Sequence, residues 1–430
     1  MKYSPIDPSL FQLNRERFTA LTPKNSISIF NSNDILPTNA DGVLPFRQNN
    51  DLFYLSGIDQ EETILLLYPD ATKVADKAIL FIKETSELIA IWEGHKLTKE
   101  GAKNVSGIQS VYWLTEFESI LDRLITSTDQ VLLNANEHKR ASKKVETRDD
   151  RFRKWIQAAY PLHQYSRLAP IMHELRVVKS KGEIDLMKHA CSITEKAFKK
   201  VLQTTTSNSY EYEIQATIQY EFLKNRANGP AYQSIVASGK DACVLHYIEN
   251  SKQCKDGDLI LMDFGAEYAN YASDMTRTIP ANGKFTKRQK QVYNEVLFVM
   301  KYATTLLVVG NTFEKYNKEV NQVMEEALIR LGLITQEEID AQNANIPVRR
   351  KYFMHGISHF IGLDTHDVGD YSIPFKEGMV LTCEPGIYIQ EENIGIRLEN
   401  NILITKDGPV DLMKSIPLEI DEIEKWMRDK

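Results

Sequence analysis

Asp258-Leu-Ile-Leu-Met-Asp263-Phe-Gly265 reads as a buried strand, and Tyr271-Ala-Ser-Asp274-Met-Thr-Arg-Thr-Ile279 reads as its return strand. A hairpin turning near Tyr268 and Ala269 sets Asp263 directly opposite Asp274. Opposed residues share a sheet face, with Cβ atoms about 4.5–5.5 Å apart. Two bare carboxylates there repel, and one must stay protonated unless a cation sits between them.

The pattern recurs. Val380-Leu-Thr-Cys-Glu384-Pro-Gly-Ile-Tyr-Ile389 reads as a strand kinked at Pro385-Gly386, and Gly395-Ile-Arg397-Leu-Glu399-Asn400 reads as its partner. A turn centred between Glu391 and Glu392 sets Glu384 opposite Glu399. Two hairpins with an acid on each strand suggest an internal two-fold duplication. Between them lies His355-Gly-Ile-Ser-His359-Phe-Ile-Gly-Leu-Asp364-Thr-His366-Asp367, which holds three of the nine histidines. One acidic pair across a hairpin is ordinary turn or surface chemistry. Two pairs with three histidines among glycines point to a site. Carboxylates flanked by apolar residues are costly unless neutralised. Asp263, Asp274, His359, Glu384 and Glu399 make the ligand mix expected for a pair of hard divalent cations.

The 430 residues suffice for two domains with their own cores. Hydrophobic content of 42% and charged content of 26% are those of an ordinary globular protein. The net charge of -7 argues against a general nucleic-acid role. The basic stretch from His138 to Lys154, with Lys139, Arg140, Lys143, Lys144, Arg148 and Arg151, is diluted by Glu146, Asp149 and Asp150 and reads as a solvated face. The cysteines, at 191, 243, 254 and 383, lack paired spacing for a zinc or disulfide framework. Cys383 adjoins Glu384, but strand alternation points it to the other face, as a small buried residue. Met1-Lys-Tyr-Ser-Pro-Ile-Asp-Pro8 has no apolar core of a signal peptide, and no apolar run is long enough to span a membrane, so the expected location is cytoplasmic.

Short apolar runs at Ile64–Tyr68, Ala78–Ile82 and Val131–Leu133 read as strands alternating with helices in a mixed α/β domain. Turn chemistry at Tyr165–Pro170 marks the boundary. Ser180-Lys-Gly-Glu183 then fits a capping box. The helix it opens buries Ile184, Met187, Ala190, Ala197 and Val201 as core packing. Further helices are expected at about 210–227, 287–307 and 314–332. Helices around antiparallel acidic hairpins make an α+β layout.

The His loop, Thr382-Cys-Glu384-Pro-Gly386 and Gly395-Ile-Arg397-Leu-Glu399-Asn400 together resemble the signature of the pita-bread metallopeptidases. That family includes Xaa-Pro aminopeptidase (aminopeptidase P), prolidase and methionine aminopeptidase. The match is strongest over 230–280 and 352–401 and extends over 171–415, while Phe46-Arg-Gln-Asn-Asn-Asp-Leu-Phe-Tyr-Leu-Ser-Gly57 resembles a segment of the family's N-terminal domain. The resemblance implies a creatinase/prolidase-like domain over 1–170 and a pita-bread catalytic domain over 171–430.

It further implies two divalent metal ions, Mn2+ first, and hydrolysis of the N-terminal Xaa-Pro bond of peptides by a hydroxide bridging the metals. Asp274 and Glu399 are then the bridging ligands, Asp263 binds one metal, and His359 and Glu384 hold the other. Glu384 is the implied proton acceptor. His246, in Cys243-Val-Leu-His246-Tyr-Ile-Glu-Asn250, and His366 match positions that donate hydrogen bonds to substrate or oxyanion. On residue type alone His246 is a structural histidine near a strand end. His355 fits a pocket-lining position, and Arg397 pairs with carboxylates or Tyr388, or serves as an ordinary salt bridge. An Xaa-Pro bond has no N–H, so a pocket shaped for the pyrrolidine ring favours it. Trp92 resembles a segment that approaches a neighbouring subunit's site in oligomeric members, although a core or surface Trp is the plainer reading. The expected partners are peptides with proline second and, by family precedent, further copies in a dimer or tetramer. The alternatives are prolidase, cutting Xaa-Pro dipeptides, and a non-catalytic pita-bread protein that binds peptides.

Overall fold

A computed structural model describes residues 3–142, 144–343 and 346–429; Met1 and Lys2 at the N-terminus and Lys143 of the basic stretch lie outside the described residues. The chain forms two units that part between Arg176 and Val177.

In the first unit, six strands form one sheet: β1 (Ser26–Asn31), β2 (Ile64–Leu67), β3 (Ala78–Ile82), β4 (Ser110–Trp113), β5 (Gln130–Leu133) and β6 (Gln164–Arg167), in the order β4-β3-β2-β1-β5-β6. The three expected apolar runs are β2, β3 and β5. Because β1 runs antiparallel to β2 and parallel to β5, the sheet is mixed. Helices α1 (Ser9–Leu21), α2 (Asn50–Ser56), α3 (Glu87–Glu93), α4 (Lys99–Ser106), α5 (Phe117–Ile125), α6 (Arg148–Ala159) and α7 (Ala169–Val177) accompany it. Ile27, Ile29, Leu66, Ile79, Phe81, Leu121 and Ile156 form one apolar core. The segment Phe46–Gly57 contains the capped helix α2. Asn49 Oδ1 accepts from the backbone N–H of Asp51 and Leu52, at 3.0 and 3.3 Å. Gly57 ends it at φ +69°, where a Cβ would meet the Phe11 ring at 2.2 Å. Tyr165–Pro170, expected to be a turn, instead holds most of β6 and the start of α7. The backbone of Tyr165–Arg167 pairs with β5, and this long-range pairing overrides the local turn signal.

In the second unit, the helices are α8 (Lys181–Thr204), α9 (Glu211–Lys224), α10 (Lys287–Thr305), α11 (Phe313–Arg330), α12 (Gln336–Asp340) and α13 (Ile420–Arg428). The Ser180 capping box opens α8, and Met187, Ala190, Ala197 and Val201 are buried as expected. The strands are β7 (Gly229–Pro230), β8 (Ile235–Ser238), β9 (Leu259–Asp263), β10 (Ala266–Tyr268), β11 (Tyr271–Ala272), β12 (Thr276–Pro280), β13 (Val380–Cys383), β14 (Gly386–Ile389), β15 (Ile394–Arg397), β16 (Asn400–Thr405) and β17 (Gly408–Asp411). All pair antiparallel within this unit. This is the expected α+β layout. No described helix is long and apolar enough to cross a membrane.

The first hairpin corrects the expected register. Tyr268 faces Tyr271, so the turn residues are Ala269 and Asn270, with φ +53° and +65°. Positive φ at both central residues suits the twist of a two-residue hairpin, and Asn tolerates it. Asp263 therefore faces Thr276, and Asp274 lies two residues earlier, in the break between β11 and β12. Gly265 permits the close crossing there, since a Cβ would meet the Ser273 carbonyl oxygen at 1.7 Å. The second hairpin follows its expected register. Cys383 faces Asn400, which makes Glu384 and Glu399 the next pair, and Gly386 faces Arg397 beyond them. Asn393, at φ +53°, closes its turn.

Candidate metal centre

Each of the four acids sits where a strand ends. Asp263 is the last residue of β9, and Asp274, Glu384 and Glu399 fall between β11 and β12, β13 and β14, and β15 and β16. A broken ladder frees such side chains to turn into one space. The His loop joins them by running along β13. His359 N–H donates to Thr382 Oγ1, Thr382 N–H donates to the His359 carbonyl, and Glu384 N–H donates to the Ile357 carbonyl. Asn401 clamps Asp274 from both sides of its backbone: its Oδ1 accepts from Asp274 N–H at 3.0 Å and its Nδ2 donates to the Asp274 carbonyl at 2.7 Å.

Among the described residues, Asp274, His359 and Glu399 each present a donor atom, all within 4.8 Å of one another. His359 Nε2 is 3.4 Å from Asp274 Oδ2 and 3.6 Å from Glu384 Oε1. Its Nδ1 lies 2.9 Å from the Phe360 carbonyl, so Nδ1 keeps its proton and Nε2 is the atom that faces the carboxylates. Asp263 joins through Tyr232, whose hydroxyl is 2.5 Å from both Asp263 Oδ1 and Asp274 Oδ1. Arg397 completes the frame: Nη2 donates to Asp263 Oδ2 at 2.7 Å, Nη1 to Tyr388 OH at 2.9 Å and Nε to Thr276 Oγ1 at 3.1 Å. The structure thus gathers Asp274, His359 and Glu399 in one donor cluster, with Glu384 beside His359 and Asp263 linked through Tyr232.

The charge balance is poor without a cation. Burial, and then the neighbouring Asp274, Glu384 and Asp263, hold the Glu399 carboxyl well above the usual range. Burial lifts Glu384 to about 7. Burial also lifts Asp263, against the pull of Arg397. Burial acts the same way on Asp274, but the hydrogen bond and charge of His359 outweigh it and leave that carboxyl low. His359 is held above its ordinary value because Asp274 and Glu384 outweigh its burial. Glu399 Oε2 accepts from Thr276 Oγ1 at 2.7 Å, whereas its Oε1 is buried with no hydrogen-bond partner. An orphaned carboxylate oxygen beside another carboxylate and an imidazole nitrogen fits a divalent cation of the oxygen-preferring kind.

The accessory histidines differ in setting. The His366 ring lies 4.1 Å from that of His359, centroid to centroid. His355 Nε2 is 2.8 Å from Tyr388 OH, its Nδ1 is 2.7 Å from the Gly356 carbonyl, and burial and then the Arg397 charge push it down to about 3. His246 is exposed, on a loop after the short helical segment Gly239–Cys243. Cys383 faces away as expected, fully buried with Sγ 3.7 Å from Thr304 Oγ1 and Tyr316 OH. Trp92 is 83% exposed, a surface residue. Sequence reasoning missed Tyr232, Thr276 and Asn401 as partners of the acids. Asn401 directly follows the Glu399-Asn400 motif, and Tyr232 carries no local pattern.

Residues 185–406 match metallopeptidase family M24, and residues 11–133 match the aminopeptidase P N-terminal domain. The chain is 36% identical to an Xaa-Pro aminopeptidase of Haemophilus influenzae, over 97% of this chain and 96% of that one. Among solved structures, the aminopeptidase PepP of Pseudomonas aeruginosa superposes with a TM-score of 0.90 at 31% identity, covering 100% of this chain and 99% of the other. Zinc-substituted Escherichia coli aminopeptidase P in complex with product gives 0.88 at 32%, covering 99% of each. The chain belongs to metallopeptidase family M24 and is a hydrolase. Its fold is the one the motifs implied: a pita-bread domain preceded by a smaller mixed α/β domain. Membership of this metallopeptidase family, with a zinc-substituted structure among its neighbours, implies divalent metal ions.

Proposed function

We propose that this protein is an aminopeptidase that removes the N-terminal residue of peptides with proline in second position. Asp263, Asp274, His359, Glu384 and Glu399 would hold two divalent cations, Mn2+ the first choice, with Asp274 and Glu399 as the candidates to serve both. What supports this reading is the buried, partnerless Oε1 of Glu399 within the three-residue donor cluster, together with full-length relatives named Xaa-Pro aminopeptidase. The catalytic domain of this reading begins near residue 171 and takes in the second unit.

Divalent cations held by these residues would supply Lewis acidity, activating water and polarising the scissile carbonyl. Glu384, whose Oε1 lies 3.6 Å from His359 Nε2 inside the cluster, would accept a proton from the attacking water and return it to the leaving proline nitrogen. His246 and His366 donate hydrogen bonds to the substrate or to the tetrahedral oxyanion. His355, held neutral, lines the pocket beside Tyr388. Arg397 orients Asp263 through its 2.7 Å contact and offsets part of the burial that raises its carboxyl.

Prolidase action on dipeptides is the alternative for the same residues, and a non-catalytic peptide-binding protein is disfavoured by the complete donor set. A cytoplasmic location accompanies the reading, without nucleic acid or membrane as a partner. A homo-oligomer, dimer or tetramer, is supported by the exposed apolar residues Leu88, Ile91 and Trp92 on α3, at 68%, 77% and 83% exposure. The deciding experiment compares an Xaa-Pro dipeptide with an Xaa-Pro-Yaa-Yaa tetrapeptide after metal stripping and again with added Mn2+. Metal-restored cleavage of the first bond of the tetrapeptide is expected. Cleavage of the dipeptide alone moves the assignment to prolidase, and cleavage of neither by metal-loaded protein removes it.

A further inference from the structure

Glu211 opens α9 and is fully buried, and among the described residues its carboxylate is met by hydroxyl and backbone donors, with the charge of Lys252 nearby. It takes four hydrogen bonds. Oε1 accepts from Ser238 N–H at 2.8 Å and Ser238 Oγ at 2.6 Å. Oε2 accepts from Tyr247 OH at 2.8 Å and Lys252 N–H at 2.9 Å. All four donors come from the beginning, middle and end of a single stretch, 238–252. That stretch leaves β8 at Ser238 and carries His246 on its exposed part. Asn250, at φ +46°, ties the same stretch back to β8 through bonds with Val236 N–H and the Ser234 carbonyl, at 2.9 and 2.8 Å.

Tyr247 is the link to the site. It directly follows His246, its hydroxyl is held by Glu211, and it belongs to one buried apolar cluster with Ile235, Ala237, Leu261 and Tyr388. Tyr388 in turn meets His355 and Arg397 through its hydroxyl. An exposed histidine on an irregular loop would otherwise lose conformational freedom at each encounter with substrate. A buried carboxylate that gathers the loop's donors removes that freedom in advance. We propose that Glu211 is a positioning residue that acts through Tyr247 to hold His246 where it meets the substrate. The proposal rests on the role assigned to His246 above.

A double-mutant cycle on the metal-loaded, full-length enzyme tests it. Tyr247→Phe removes one hydroxyl and keeps the packed ring. It is expected to lower kcat about 3- to 10-fold, the range for one hydrogen bond, with KM and metal content near wild type. In a His246→Ala background the same change should have no further effect on kcat. Glu211→Gln, which turns one accepting oxygen into a donor, should lower kcat more, with the same dependence on His246. If His246→Ala turns over at the wild-type rate, the role of His246 and the positioning of Glu211 both fall. If His246→Ala is slow but Tyr247→Phe lowers kcat equally in both backgrounds, or in neither, the positioning role alone is overturned.

Discussion

The Arg397 guanidinium donates to Asp263 Oδ2 at 2.7 Å, with both side chains largely buried. Two other donors of the same guanidinium hold Tyr388 and Thr276, so one cation orients a candidate ligand, a pocket tyrosine and the partner of Glu399. Breaking a buried pair by removing one member costs about 3–5 kcal/mol. Arg397→Ala is therefore expected to lower stability on that scale in chemical denaturation and to reduce kcat/KM about 100-fold or more. Arg397→Lys, which cannot fork, should recover only part of either loss. Wild-type kcat/KM in well-folded Arg397→Ala would refute this.

In the metal-free protein, Glu384, Glu399 and His359 all have raised proton affinities, so the site carries protons around neutral pH. Divalent ions must displace those protons. Mn2+ binding is expected to release protons and to tighten as pH rises from about 6 to 8. Calorimetry in two buffers of different ionisation heat measures the release directly; identical heats in both would contradict the charge balance drawn here.

Asp274→Ala and Glu399→Ala each remove a member of the three-residue donor cluster. Elemental analysis should find metal content well below wild type and turnover below detection. Glu384→Gln should keep more metal yet lose turnover, since the amide cannot accept the proton. Wild-type turnover by metal-loaded Glu384→Gln would remove the proton-acceptor role.

The Tyr232 hydroxyl lies between Asp263 and Asp274, where it offsets the repulsion of two buried carboxylates. Cations would do the same when bound. Tyr232→Phe should therefore lower the melting temperature of the stripped protein by several degrees, about 1–3 kcal/mol for unsatisfied buried acceptors. Added Mn2+ should raise the melting temperature of the variant by more than that of wild type. Equal increments would show that the hydroxyl does not stand in for the missing charge.

Asp149 of the first unit accepts from Asn31 Nδ2 at 2.9 Å, and burial raises its carboxyl to about 7. A carboxyl raised on folding binds its proton more tightly in the native state, so its effect is to lower stability as pH climbs from about 4 through 7. Asp149→Asn removes that titration. Its unfolding free energy relative to wild type should rise between pH 5 and pH 8, by at most a few kcal/mol at about 1.4 kcal/mol per unit of pKa. A pH-independent difference would mean that Asp149 is not the group responsible.

Local pattern determined a great deal of this protein. Strand alternation, capping residues and turn chemistry act over a few positions, so β2, β3, β5, α8 to α11 and the register of the second hairpin are legible without a structure. The identities of the five candidate ligands are legible for the same reason, because acids at the ends of apolar strands are costly unless something neutralises them. The first hairpin slipped by two residues because two positive-φ positions at Ala269 and Asn270, rather than apolar spacing, set its turn. The boundary strand β6 was hidden because its partner, β5, lies in a separate part of the chain. Only the tertiary structure decided what each acid touches. Tyr232 reaches Asp263 and Asp274 across 31 and 42 positions, and Arg397 reaches Asp263 across 134. Contacts at such separations depend on how whole strands and helices pack, and no periodicity within a short window records that.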